Sequence, residues 1–176
     1  DQMQVGIDLA AIKTAVFTGQ PIPSHFFNPA DATSKVKVTD LKMDIYEPKG
    51  DTVSKRPVVV YIHTGNFLPP PINGSPTGLK TDSAAIVMCN SLAKRGYVAI
   101  SVDYRLGWNP LATTVQERRG QLLNAVYRAL HDVKKAVRTI RDSAATSNPY
   151  SIDSDKIVLL GEGSGGYVAL AYETLD

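Results

Sequence analysis

One cysteine, Cys89, stands in a chain of 176 residues. That excludes an internal disulfide and any cysteine-rich metal site. Its place in an apolar helical stretch gives it the role of a small buried core residue. Histidine is scarce as well, and His25, His63 and His131 show no metal-ligand spacing with one another or with acidic neighbours. No metal is expected, and nothing in the chain asks for a cofactor. An excess of one charge sign is also missing: nineteen basic and seventeen acidic residues leave a net charge of +2, with the signs interspersed. Neither a nucleic-acid surface nor an acidic-lipid surface is implied. Lys134, Lys135, Arg138 and Arg141 fall on one predicted helix and read as its solvated face. No apolar run approaches the ~20 residues needed to span a membrane.

What is present is an ordinary globular composition, 43% hydrophobic and 20% charged, of a length that suits one domain with a sizeable core. The chain opens on Asp1 rather than Met. A cleaved secretory signal accounts for that, as does a trimmed terminus, and the expectation is a secreted or periplasmic protein.

Residues 1–34 read as a surface arm, with apolar anchors at Val16-Phe17 and His25-Phe26-Phe27 separated by Gly19 and two prolines. Residues 35–176 read as the folded domain. From Val36 a period-two pattern begins, in which Leu41, Met43 and Ile45 alternate with Lys42, Asp44 and Tyr46; it predicts a half-buried strand of a leading antiparallel hairpin. Val58 to Ile62 does not alternate. Short, β-branched and bounded by Pro57 and Gly65, it predicts a parallel strand buried on both faces. A helix capped by Asp82 or Ser83 follows, running to about Arg95 with Gly96 as its stop, then a second buried strand, 97–102. Leu122, Val126, Leu130, Val133, Val137 and Ile140 recur at intervals of three and four, which predicts a long helix over 117–144 with one core-facing stripe. A third buried strand, Ile157 to Leu160, enters Gly161-Glu162-Gly163-Ser164-Gly165-Gly166, and a helix begins at Tyr167. Strands and helices in this alternation define an α/β protein, a doubly wound and mostly parallel sheet behind a leading antiparallel hairpin.

Three landmarks appear in order along residues 36–176: His63-Thr64-Gly65-Asn66 after the first buried strand, Asp103-Tyr104-Arg105-Leu106 after the second, and Ile152-Asp153-Ser154-Asp155-Lys156-Ile157 leading into the third. They resemble the esterases and lipases of the α/β-hydrolase fold, of the carboxylesterase and hormone-sensitive-lipase-like groups. In that family a His-Gly-Gly-Gly-type loop supplies oxyanion-hole amides, and a Gly-Glu-Ser-Ala-Gly-Gly turn, the nucleophile elbow, carries the attacking serine. The resemblance implies that this chain is an incomplete α/β-hydrolase domain, its first five or so strands. It implies oxyanion donors at Thr64, Gly65 and Asn66, with His63 supporting the loop.

At the elbow the match breaks. Laid without gaps, the pattern puts Gly163 at the usual nucleophile position and Ser164 on the family's alanine. The nucleophile residue sits at positive φ, which glycine adopts freely, so Gly163 keeps the turn and loses the hydroxyl. Ser164 is either a helix-start serine that stabilises the turn or a displaced nucleophile, in which case the amide of Gly165 completes the oxyanion hole. Trp108, after a strand end, is a pocket wall or a core residue. Asp153 and Asp155 form a turn at the strand entry rather than a calcium loop.

Two functions follow from the resemblance. One is a serine-type hydrolase of carboxylic esters that acts on a small ester substrate through an acyl-enzyme, with Ser164 attacking. The other is a catalytically inactive hydrolase fold serving as a binding or interaction module. In either case the triad acid and histidine, and the remaining strands, are expected outside this chain, in a missing C-terminal half or in a partner polypeptide that completes the sheet. Alone, the strand 157–160 would be an apolar parallel edge prone to aggregation.

Overall fold

A computed structural model describes residues 2–5, 39–50, 52–75 and 77–175. The chain divides into two units, residues 1–41 and 42–176. Of the first, the strand β1, Gln2–Val5, is described. The arm expected over 1–34 otherwise lies outside the described residues, as do His25 and the start of the hairpin at Val36.

Four further strands, β2 (Thr39–Tyr46), β3 (Arg56–Ile62), β4 (Val98–Val102) and β5 (Ile152–Gly161), lie side by side in the order β2-β4-β3-β5. β2 runs antiparallel to β4, with Met43 opposite Val102 and Ile45 opposite Ile100. β3 is parallel to both β4 and β5. Two of the three apolar strands, β3 and β4, are in the middle, as their lack of alternation requires. The third does not fit that expectation, because β5 stands at the end of the order, with Val158 58% exposed and Ile157, Leu159 and Leu160 only half-buried. Val58, Val60 and Ile62 of β3 and Val98, Ile100 and Val102 of β4 are buried, and so are Val59, Tyr61, Ala99 and Ser101 between them. Each fully buried Val or Ile contributes about 1.5–3 kcal/mol, so this pair of strands is the main apolar store of the fold.

The helices are α1 (Pro70–Asn73), α2 (Ser83–Ala93), α3 (Val115–Thr146) and α4 (Ser164–Thr174). α2 brings Ala85 and Cys89 against Tyr61 and Ala99, with Tyr46, Leu92 and Leu160 around them. Cys89 is fully buried, and burial pushes its thiol up to about 11, which leaves it an inert core residue. α3 and α4 pack on β5 and on each other. Among the described residues no helix is long and apolar enough to cross a membrane.

Helix α3 starts two residues before the expected position because Thr114 caps it, its Oγ1 accepting from the Glu117 amide at 3.1 Å. Its apolar stripe holds from Leu130 onwards, where Val133, Val137 and Ile140 are buried. Nearer the N-terminus Ala125 and Ala129 face inward instead, while Leu122 and Val126 turn into a cavity.

β5 also begins earlier than the apolar run, at Ile152. Opposite Pro57 of β3 stand residues 153–156, because Arg56 pairs with Ile152 and Val58 with Ile157. Asp153 and Asp155 are therefore a bulge within a strand rather than a turn before it. The Asp153 carboxylate accepts from the Asp155 amide at 3.1 Å and meets Lys156 at 3.2 Å.

Candidate active site

The strand ends at Ile62, Val102 and Gly161 are neighbours, and the loops that leave them build the site. His63, at the end of β3, is 1% exposed. Its ring stacks on Tyr104 with centroids 4.3 Å apart and planes within 13°. Nδ1 lies 2.6 Å from the Thr64 carbonyl oxygen. A carbonyl only accepts, so Nδ1 carries the proton and Nε2 is bare in the neutral ring. Burial holds the His63 pKa below the ordinary imidazole value, against the opposing pull of the Thr64 carbonyl and of Asp103 and Asp82. His63 is thus a neutral brace for the loop.

The next residues are bent sharply. Gly65 has φ 125°, and Asn66 and Phe67 have φ 54° and 58°. Two consecutive non-glycine residues in the left-handed region are a local strain of about 1–3 kcal/mol each, so the surroundings must hold them. The Phe67 carbonyl accepts from the amides of Gly107 and Trp108 at 2.8 and 2.9 Å, and the Gly65 carbonyl accepts from Leu68 N–H at 2.9 Å. Gly65 also crosses the chain at Gly78 so closely that a Cβ would lie 2.6 Å from the Gly78 Cα. No other residue type fits at that crossing.

The turn after β5 has the geometry expected of an elbow. Gly163 sits at φ 54°, ψ −118°, the positive-φ conformation anticipated for the nucleophile position. Above it lies a side chain that the sequence did not suggest: a Cβ added to Gly163 would collide with the Thr64 hydroxyl and lie 3.1 Å from the Thr64 Cβ.

Ser164, the first residue of α4, is 4% exposed, and its side chain points into the site. Ser164 Oγ accepts from the Asn66 amide at 3.1 Å and lies 3.3 Å from Tyr104 Oη. Tyr104 Oη donates its single proton to the His63 carbonyl at 2.8 Å, so across the 3.3 Å contact the donor is Ser164. Burial is the main reason the Tyr104 phenol is pushed up to about 12, and the bond from Ser164 opposes it.

The expected donor at Gly165 needs correction. Its amide donates to the Glu162 carbonyl at 2.9 Å, and the Gly166 amide donates to Gly163 O at 3.0 Å. The first turn of the helix consumes both. Thr64 is likewise present through its side chain and through its carbonyl bond with His63. Of the loop residues expected to donate, Asn66 is the one whose N–H meets Ser164.

Two part-buried pairs fasten the site from behind. The Arg105 guanidinium clasps Asp132 of α3, with Nε 2.9 and 3.0 Å from its two oxygens and Nη2 at 2.8 Å, and the Arg105 amide adds a bond of 2.9 Å. Tyr61 donates its hydroxyl to the Glu162 carboxylate; burial first, and this bond second, raise the pKa of the Tyr61 phenol. In front, Asn66, Phe67, Trp108, Leu122, Val126, Ser164 and Tyr167 line an open cavity of about 520 Å³. Trp108 is a wall of that cavity, with Nε1 donating to the Arg118 carbonyl at 3.2 Å. His131 is remote from it, exposed on α3 with its ring 4.3 Å from Tyr127.

A mostly parallel sheet, an elbow after β5 and a braced loop after β3 are the parts of an α/β-hydrolase fold. The comparisons agree. The family model BD-FAE, an α/β-hydrolase-type esterase domain, matches residues 43–175, and the chain belongs to that family. None of the curated proteins matches it. Among solved structures it is similar to a thermophilic esterase from the Planctomycetes species Thermogutta terrifontis. With the native form of esterase 2 it shares 28% identity over 76% of this chain and 39% of that one, with a TM-score of 0.54. With the propionate-bound form the values are 25%, 90%, 46% and 0.54. The same esterase phosphorylated by paraoxon aligns at 28% identity, over 76% and 42%, with a TM-score of 0.54. The chain spans less than half the length of these proteins.

Proposed function

We propose that the protein is a serine-type hydrolase of carboxylic esters, in which Ser164 is the attacking hydroxyl. The observation that carries this reading is the 3.1 Å contact between Ser164 Oγ and the Asn66 amide at the wall of an apolar cavity. A hydroxyl and a main-chain donor are thereby side by side where an ester carbonyl would enter. Ser164 Oγ adds to the carbonyl carbon and gives up its proton to a base. The tetrahedral oxyanion collapses with loss of the alcohol, and water then releases the carboxylic acid from the acyl-serine. Among the described residues His63 is braced at Nδ1 and stacked on Tyr104 and His131 is exposed on α3. The base, with its acid partner, is therefore assigned to a part of the protein outside this chain, as the fold's chain order of serine, acid and histidine has it, together with further strands beside β5. The Thermogutta esterase bound to propionate, a short carboxylate of the kind that ester hydrolysis releases, and its form phosphorylated by paraoxon support an ester substrate of small size.

A second reading is favoured by one specific observation. Gly163, in the elbow conformation, bears no hydroxyl, and Thr64 fills the space above it. On that reading the cavity binds an apolar carbonyl compound without attacking it. Hydrolysis of short p-nitrophenyl esters by the full-length protein separates the two. Turnover that falls at least ~100-fold in Ser164→Ala supports the hydrolase. Turnover unchanged by that substitution, or absent from the wild type, leaves the binding reading.

A further inference from the structure

The elbow glycine and the loop threonine are far apart in sequence, yet each has the shape the other requires. The backbone of Gly163 is already in the conformation that holds a nucleophile. What stands where its side chain would be is Thr64, whose hydroxyl overlaps a Cβ at that position and whose own Cβ and Cα would lie 3.1 and 3.8 Å away. The obstruction is therefore a side chain. That contrasts with Gly165, where an added Cβ would collide with main chain, the Ile62 carbonyl and the His63 oxygen at 2.7 Å, an obstacle no substitution could remove. Thr64 cannot swing aside cheaply. It is β-branched and stiff at χ1, its carbonyl is pinned by His63, and the loop that follows is bent through three positive-φ residues. Gly163 itself is exposed, and a cavity of about 460 Å³ bordered by Gly161, Gly166 and Tyr167 opens beside it. Room for a reacting group exists there. The three atoms nearest an added Cβ all belong to Thr64.

We propose that Thr64 is the residue that keeps position 163 closed to a nucleophile, so that trimming Thr64 reopens the elbow to a serine. The two departures from the resembled motifs, threonine for glycine in the loop and glycine for serine in the turn, are then one coupled change. The site has been rebuilt around the hydroxyls of Thr64 and Ser164 in place of one on the elbow. The inference goes beyond the hydrolase reading. It rests on that reading only for the base that would activate a restored serine.

The experiment compares four full-length proteins: wild type, Gly163→Ser, Thr64→Gly and the double variant. Melting temperature is read first. Overpacking against Thr64 should lower it by about 4–8 °C in Gly163→Ser, and by less than half as much when Gly163→Ser is added to Thr64→Gly. The strain of a side chain at positive φ is common to both backgrounds and cancels. Equal losses in the two backgrounds would overturn the proposal. Should Gly163→Ser fail to fold, Gly163→Ala in both backgrounds gives the same comparison with one atom fewer. The second reading is fluorophosphonate labelling, with fragment ions resolving position 163 from 164. Label on 163 in the double variant and not in Gly163→Ser supports the proposal, and equal label in both overturns it. If the wild type is labelled on Ser164 and position 163 is labelled in neither variant, the proposal fails while the hydrolase reading stands. If the wild type takes no label, the hydrolase reading fails and the melting comparison alone decides the coupling.

Discussion

Replacing Asp132 by alanine strips the site of its rear anchor, and the structure fixes how much that should matter. Asp132 is 2% exposed and Arg105 16% by side chain, so little solvent is available to replace the carboxylate. It accepts from Arg105 Nε and Nη2 and from the Arg105 amide, all within 3.0 Å. Arg128 lies close enough that Arg105 lowers its pKa, after burial, while Asp132 raises it. Without Asp132 two half-buried cations face each other. Removing one partner of a buried pair costs roughly 3–5 kcal/mol; the partial exposure of Arg105 argues for the lower end, about 3 kcal/mol. For a domain of this size that corresponds to a loss of about 6–12 °C in melting temperature. The same loop carries the Gly107 and Trp108 amides that hold the Phe67 carbonyl, so the cavity should loosen in the variant along with the drop in its melting temperature. Differential scanning calorimetry of the full-length variant measures the shift, and Arg105→Leu with Asp132→Leu, which removes both charges of the pair together, should lose less. A drop of under about 2 °C for Asp132→Ala would refute the argument that this pair anchors the loop.

Two further outcomes are expected. Tyr104→Phe leaves the buried His63 carbonyl without its donor and Ser164 without its 3.3 Å neighbour; it should cost about 1–3 kcal/mol by urea denaturation, and an unchanged midpoint would show that water replaces the phenol. Stability should also fall as the pH drops below about 6.5, because the His63 pKa is lowered in the folded chain and returns to 6.5 on unfolding. In that window the unfolded state binds more protons, and the stabilisation is complete only above the unfolded value. His63→Gln should remove this part of the pH dependence, leaving the carboxylate-driven loss at lower pH, and an identical profile in the variant would dismiss His63 as its source.

The sheet was legible where one principle dominated. Val58–Ile62 and, but for Ser101, 97–102 are apolar runs because both faces are covered, and no helix explains so short a run. The order of the strands was not legible, since nothing in β2 marks β4, rather than the next strand in the chain, as its partner. The start of β5 was hidden by Asp153, Ser154, Asp155 and Lys156, polar residues that bulge from the ladder opposite Pro57. In α3 the expected stripe mixed two surfaces: Leu130, Val133, Val137 and Ile140 bury in the core, whereas Leu122 and Val126 line the cavity.

At the site the bare elbow could be read from the motif, because the turn needs positive φ at this position and glycine adopts it freely while bearing no hydroxyl. The amide of Gly165 was misassigned for a simple reason. A residue one place further into the helix already gives its N–H to the preceding turn. Thr64 was read for its backbone, and its side chain proved to be what fills the elbow. No spacing rule connects residues so distant in sequence, and only the fold brings them together. Tyr104 lay inside a recognised motif, yet its bond to the His63 carbonyl follows from where β3 and β4 end.

The most direct test of the account is fluorophosphonate labelling of the full-length protein followed by peptide mapping. The account expects a single adduct on Ser164, lost in Ser164→Ala and suppressed by a competing short-chain ester. A protein that takes no label while a control esterase reacts normally would contradict it, and the site would then be a carbonyl-binding cavity left without a nucleophile at Gly163.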